Sequence, residues 1–280
     1  VPTMEITLPE STDRAVPEIN TVTRTAIVTG GAGGMGRTIS RRLAAEGYAV
    51  VVADINQDAA DQAAAGLPEI DGADHRGFGG DLTDSAVNRE LAVLAAEIAP
   101  IGVLVNAVGI SPKRNGRKIP FFELSDEEWN QVMAVNVSAP FFLIREAFRY
   151  MPTDGSASIV NLLSITAKLG TGGPADAGFG PFLPSTAAYG ASKAALQNLT
   201  ASLSHELAGR RIRVNGIAPG FVQTPMMGEV PVDERLLGQV PMKRFARPEE
   251  IADAVAFLIS EQASYITGIS LDINGGWLTC

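Results

Sequence analysis

The chain has 280 residues, 46% of them hydrophobic and 19% charged, with 22 Lys and Arg against 31 Asp and Glu for a net charge of −9. That length holds one or two domains, the apolar content excludes a disordered or collagen-like chain, and the acidic balance argues against bulk binding of nucleic acid. No apolar run approaches the ~20 residues that span a bilayer, and the one cysteine, Cys280, excludes an intrachain disulfide and fits a reducing, cytoplasmic setting.

Residues 1–24 carry prolines at 2, 9 and 17 and hold neither a helical nor a strand period. They lack the basic start and apolar run of a secretory signal, and read as a loose arm or one packed on a neighbouring subunit. From Thr25 the pattern changes, and 25–280 reads as a single domain. Short apolar runs at Thr25–Thr29, Ala49–Asp54, Arg76–Gly79, Gly102–Asn106, Ser158–Leu163, Arg213–Ala218 and Ser270–Ile273 alternate with segments of helical period. Most are continuously apolar, as central parallel strands covered on both faces are. The expected fold class is α/β, one doubly wound parallel sheet with helices on both faces.

The first strand runs into Thr29-Gly30-Gly31-Ala32-Gly33-Gly34-Met35-Gly36 and then a helix that stops at Glu46-Gly47. Glycines here permit a tight turn and let backbone N–H groups approach a pyrophosphate at the helix N-terminus, the Rossmann arrangement. The second strand ends at Asp54, where an acid bonds the adenosine ribose and repels a 2′-phosphate; neither Ile55 nor Asn56 supplies a cation, so NAD is favoured over NADP. A plain loop and a solvated strand-end acid are the competing readings.

Farther along, Ser125-Asp126-Glu127-Glu128 is a capping box opening a helix to about Tyr150, and Pro248-Glu249-Glu250 opens another. Ser164 follows the Ser158–Leu163 strand at its C-terminal end, where open α/β sheets build their sites. Tyr189 and Lys193 stand at i and i+4 on one helix face. An ammonium beside a phenol favours the phenolate, which suits acid–base work on an alcohol or carbonyl; a surface helix pair is the alternative. His75 and His205, the only two histidines, have no ligand-like spacing to a second His or Cys, so no metal is expected.

Taken in order, these residues resemble the short-chain dehydrogenase/reductase family, of the compact type that includes 3-oxoacyl-carrier-protein reductases and sugar or cyclic-alcohol dehydrogenases. Thr29, Gly30, Gly34 and Gly36 match its phosphate loop, with Met35 inside it. Asp81-Leu82 matches the pair that meets the adenine, and Asn106-Ala107-Val108-Gly109 resembles the N-N-A-G signature with departures at 107 and 108. Asn136 matches the helix asparagine of a water-linked proton relay. Pro219-Gly220, Val222 and Thr224 fall in the turn around the nicotinamide, and Asp272–Gly276 resembles the closing strand end. The resemblance implies an NAD-dependent alcohol dehydrogenase or carbonyl reductase with Asn136, Ser164, Tyr189 and Lys193 catalytic. Tyr189 and Lys193 would also touch the cofactor, and the long helices after Ser125 and through Tyr189 would build a homotetramer. A catalytically silent NAD-sensing or scaffold protein on the same fold is the rival.

Two features are individual. The Ser164–Tyr189 separation is longer than the resemblance implies, with a Gly-, Pro- and Ala-rich stretch at Thr171–Thr186 that reads as a pocket lid or a surface loop. Lys113, Arg114, Arg117 and Lys118 form a basic loop beside the expected site, readable as capture of an anionic substrate or as a solvated loop. The glycosylation patterns at Asn136 and Asn198 fall in expected helices and read as accidental.

Overall fold

A computed structural model describes residues 24–69, 72–115, 117–170, 185–224 and 234–279. The arm at 1–23, most of the long stretch (171–184) and Cys280 lie outside the described residues.

The apolar runs become strands β1 (Thr25–Thr29), β2 (Ala49–Asp54), β3 (Arg76–Gly79), β4 (Ile101–Asn106), β7 (Ser158–Leu162), β8 (Arg213–Pro219) and β9 (Ser270–Ile273), with β5 (Lys113–Arg114) and β6 (Arg117–Lys118) making a separate hairpin. The large sheet is parallel in every pairing, with order β3-β2-β1-β4-β7-β8-β9. The chain moves outward from β1 to β3, then returns and continues from β4 in the opposite direction. The ends of β1 and β4 are therefore the switch point, where the loops diverge and leave a crevice.

Alternation along each strand divides the core in two. On β1, Ala26 and Val28 face one side, packed with Ile39 and Leu43 of α1 (Gly34–Ala45) and with Ile251, Val255 and Leu258 of α8 (Pro248–Ile259). Ile27 faces the other, with Leu91 of α3 (Ser85–Ile98), Leu143 of α5 (Ala139–Ala147) and Leu203 of α6 (Ala187–Ala208). Both faces of the central strands are thus dry, which is why their sequences are apolar at every position.

Helix starts follow the local chemistry. Asn56 Oδ1 accepts from Ala59 N at 3.1 Å to open α2 (Gln57–Ala65), and Asp84 Oδ1 accepts from Ala86 N at 2.8 Å to open α3. The Ser125–Glu128 capping box forms reciprocally, at 3.1 and 2.9 Å, to open α4 (Asp126–Met133). The short α7 spans Glu234–Gln239.

The structure corrects two expectations. The helix from Ser125 to Tyr150 is not uniform: α4 widens into a π turn at Ala134–Ser138 before α5 resumes. Pro140 is the cause, since it has no N–H for the Asn136 carbonyl and its ring crowds that carbonyl. The basic stretch is not an open loop but the β5–β6 hairpin, with Asn115 at φ 53° in its turn.

Candidate active site

β1 is followed by Gly30, whose φ of 61° is unfavourable for any residue with a Cβ. A Cβ on Gly36 would lie 2.2 Å from the Gly30 carbonyl oxygen, so loop and helix touch backbone to backbone. Gly33 caps α1 without a side-chain partner, no acid sits in the first turn, and a Cβ on Gly33 would meet nothing within 4 Å. The N–H groups of that turn are left facing open space, which is what an anion at a helix N-terminus needs.

Two side chains brace the loop. Thr29 Oγ1 accepts from Ala107 N at 3.1 Å and Val108 N at 3.2 Å, stitching β1 to the end of β4. Asp54 Oδ2 accepts from Ala32 N at 3.3 Å. The Asp81 carboxylate turns on itself, accepting from Thr83 N at 2.9 Å and Thr83 Oγ1 at 2.8 Å.

Around these lies a cleft of about 640 Å³. Gly30, Gly34, Met35, Gly36, Asp54, Ile55, Asp81, Leu82 and Thr224 all line it. Ile55 is 70% exposed, an apolar residue held out at the strand end beside the carboxylate.

Asn136, Ser164, Tyr189 and Lys193 do not line this cleft; Asn136 and Lys193 stand directly behind its Gly109–Ile110 wall. Asn136, fully buried in the π turn, accepts from Ile110 N at 2.8 Å and donates to Ile110 O and to Ser192 Oγ, both at 3.0 Å. Lys193 Nζ donates to the Leu162 carbonyl at 2.7 Å and lies 5.8 Å from the centre of the Tyr189 ring. It is so close behind Gly109 that a Cβ there would stand 3.3 Å from Nζ. Tyr189 is half-buried, its amide capped by Thr186 Oγ1 at 3.2 Å, and the Ser164 hydroxyl interacts with its phenol in the sense that lowers the phenol's pKa. Ser164 Oγ in turn accepts from Thr166 N at 3.2 Å, which fixes the rotamer.

Burial governs the electrostatics. It draws the Lys193 ammonium down to about 8, because nothing acidic compensates the desolvation. It also pushes the Tyr189 phenol above its usual range, and the Ser164 hydrogen bond opposes that rise.

Several expected cofactor contacts do not line the cleft. Asn106 turns sideways within the sheet, its Nδ2 donating to Asn161 Oδ1 at 2.8 Å, and Asn161 continues to Thr200 Oγ1 at 2.9 Å. Pro219 is buried at the end of β8, and Gly220 packs on Asn274, where a Cβ would come to 3.0 Å from its Cα. Val222 is buried and bridges in parallel to Ala246.

Gly80, Thr83, Ile110, Gln131, Ala134, Val135 and Ala139 line the cleft without having been singled out. The readable signal for the last three was Pro140, a helix breaker inside an otherwise helical run. Ser192 had no signal beyond its place beside Lys193.

The basic hairpin does not border the cleft. The Arg114 guanidinium is taken by Glu128 at 3.0 and 3.2 Å and by Glu123 at 3.5 Å, and Lys113 and Lys118 have interactions of their own. In this structure the Arg114 fork serves the start of α4. Among the described residues no group of His, Cys, Asp and Glu could hold a metal ion, and no helix is long and apolar enough to cross a membrane.

A family model described as Enoyl-(Acyl carrier protein) reductase matches residues 30–278. The chain is 35% identical over 254 residues to the 3-oxoacyl-(acyl-carrier-protein) reductase of Escherichia coli K12, covering 90% of this chain and 96% of that protein. It is 37% identical over 259 residues to the cis-4-hydroxycyclohexanecarboxylate dehydrogenase of Sinomonas cyclohexanicum, covering 91% and 96%. The crystal structure of a dehydrogenase/reductase from Sinorhizobium meliloti 1021 superposes with a TM-score of 0.78 at 33% identity, covering 93% of this chain and 97% of that one. With the parallel sheet and its glycine-rich switch point, these matches make the chain a member of the short-chain dehydrogenase/reductase family of oxidoreductases.

Proposed function

We propose that the protein moves hydride between NAD(H) and a secondary alcohol or ketone, with Ser164, Tyr189 and Lys193 as its acting set. The observation that carries this reading is the buried Lys193, 5.8 Å from the centre of the Tyr189 ring and directly behind Gly109, which lines the glycine-rich cleft.

The residues present fit a nicotinamide dinucleotide. Gly30 and Gly36 leave no room for side chains between loop and helix, while the space beyond Gly33 is open to a pyrophosphate. Asp54 would accept from the ribose hydroxyls and repel a 2′-phosphate, which favours NAD. The exposed Ile55 and the neighbouring Leu82 offer apolar surface to the adenine. When bound, the nicotinamide supplies the hydride acceptor or donor.

The protein's own part is proton handling and orientation. In oxidation Tyr189 takes the hydroxyl proton, and in reduction it returns one to the carbonyl oxygen. Ser164, fixed by Thr166 N, has a single hydroxyl proton, which faces the phenol oxygen when the site is empty and is given to the substrate oxygen when substrate is bound. Lys193, held by Leu162 O, supplies positive charge that favours the phenolate. Asn136 holds the Ile110 backbone from both sides and so sets the wall beneath the reacting groups.

The two named relatives act, by their names, on a 3-oxoacyl group and on a hydroxycyclohexane carboxylate. Both contain the secondary carbinol or ketone that this site suits. The same reading includes assembly as a homotetramer: Val137 and Phe141 face Ala195 and Leu199 across a shallow groove between α5 and α6. Absorbance of NADH with a panel of anionic and neutral secondary alcohols and ketones, run also with NADP, tests the reading. Turnover with NAD is expected; binding without turnover across the panel would favour the silent scaffold.

A further inference from the structure

Lys168 ends the turn that carries Ser164, and Asp272 lies on β9, yet the two side chains meet. Lys168 Nζ donates to both Asp272 carboxylate oxygens at 2.7 Å. The strands concerned are not neighbours, because β8 lies between β7 and β9. The ion pair therefore straddles the end of β8, where Asp272 stands in register with Ala218. With the side chains 21% and 23% exposed, the pair is shielded from much of the solvent that weakens surface pairs.

The turn between Ser164 and Lys168 is short and held by three hydrogen bonds to its backbone amides. Ala167 N donates to Ser164 O at 3.0 Å, Lys168 N to Ile165 O at 3.0 Å, and Thr166 N to Ser164 Oγ at 3.2 Å. A displacement at Lys168 is thus transmitted to Ser164 through a single 3₁₀ turn. Neither Lys168 nor Asp272 lies on α6, the helix that carries Tyr189 and Lys193.

We propose that Lys168 and Asp272 are positioning residues, whose ion pair anchors the Ser164 turn to β9 and sets how the Ser164 hydroxyl meets Tyr189. This rests on the reading of Ser164 and Tyr189 given above. A turn cut loose weakens the bond that holds the phenol down, so the effect extends beyond stability to the titration of Tyr189.

Lys168→Met keeps the stem and removes the charge. Its kcat with NAD should fall roughly tenfold, while the KM for NAD stays within about twofold. Tyrosinate ultraviolet absorbance, taken for each variant as the difference from the same chain carrying Tyr189→Phe, should appear at higher pH than in the wild type. The exchanged pair Lys168→Asp with Asp272→Lys should restore most of both properties. Ser164→Ala gives the full size of the tyrosinate shift. If Ser164→Ala moves the curve and a folded Lys168→Met does not, the positioning proposal is overturned and the Ser164–Tyr189 reading stands. If Ser164→Ala leaves the curve unmoved, both fall. Should Lys168→Met fail to fold, Asp272→Asn carries the same comparison with its packing preserved.

Discussion

Lys193 Nζ reaches from α6 to the last carbonyl of β7, donating to Leu162 O at 2.7 Å. The contact fixes a cation in the core without a carboxylate beside it, and the cost of burial appears as a pKa near 8. The unfolded chain binds this proton up to the ordinary lysine range, and the folded chain releases it earlier. Between these values the unfolded state holds more protons, so folding becomes more favourable as pH rises. In Lys193→Met that contribution vanishes. Urea unfolding from pH 8 upward should show wild-type stability gaining on Lys193→Met by up to about 3 kcal/mol.

Tyr189→Phe removes the phenol oxygen and leaves the ring in its packing. Turnover should fall by about a thousandfold or more, while NADH fluorescence titration gives a Kd close to that of the wild type. Near-wild-type turnover would end the assignment of proton transfer to this residue.

Asp54→Asn keeps an oxygen able to accept from Ala32 N and removes the negative charge. The ratio of kcat/KM for NAD over NADP should drop about tenfold, or roughly 1.4 kcal/mol. A ratio unchanged on substitution would mean that cofactor choice is made elsewhere along the cleft.

Arg213 is buried at the start of β8, where its guanidinium donates to the carbonyls of Leu258, Ile259 and Ser260 at the end of α8. It is a cation at the negative end of a helix dipole, and its donors satisfy carbonyls the helix itself cannot. Arg213→Met should cost about 3 kcal/mol in urea unfolding, by leaving those carbonyls unpaired. Because the site lies at the other end of the strand, kcat in the folded fraction should hold.

The strands were legible because the sheet is buried on both faces. Val50-Val51-Val52-Ala53 cannot alternate when each residue has a helix above or below it, and the sequence is apolar throughout. The phosphate loop was equally legible, since glycine is the residue best suited to the Gly30 φ and the only one that fits the Gly36 contact. Chemistry that depends on a side chain's direction was not. Asn106 has the right position in its motif, but its amide points along the sheet to Asn161, a choice that neighbouring strands make. The four cations at 113–118 look alike in sequence, and only the fold sets Glu128 opposite Arg114. Ser192 joins Asn136 to α6 through one hydroxyl, and no pattern marks that serine among others on its helix.

Pro140 sets stability against activity at a single position. The wide turn at Asn136 is enforced by the covalent ring of a proline, so it is present before any ligand arrives. Replacing Pro140 with alanine would return an amide to the helix ladder and let the coil tighten. The variant should be the more heat-resistant protein and, with Asn136 drawn away from Ile110, the poorer enzyme.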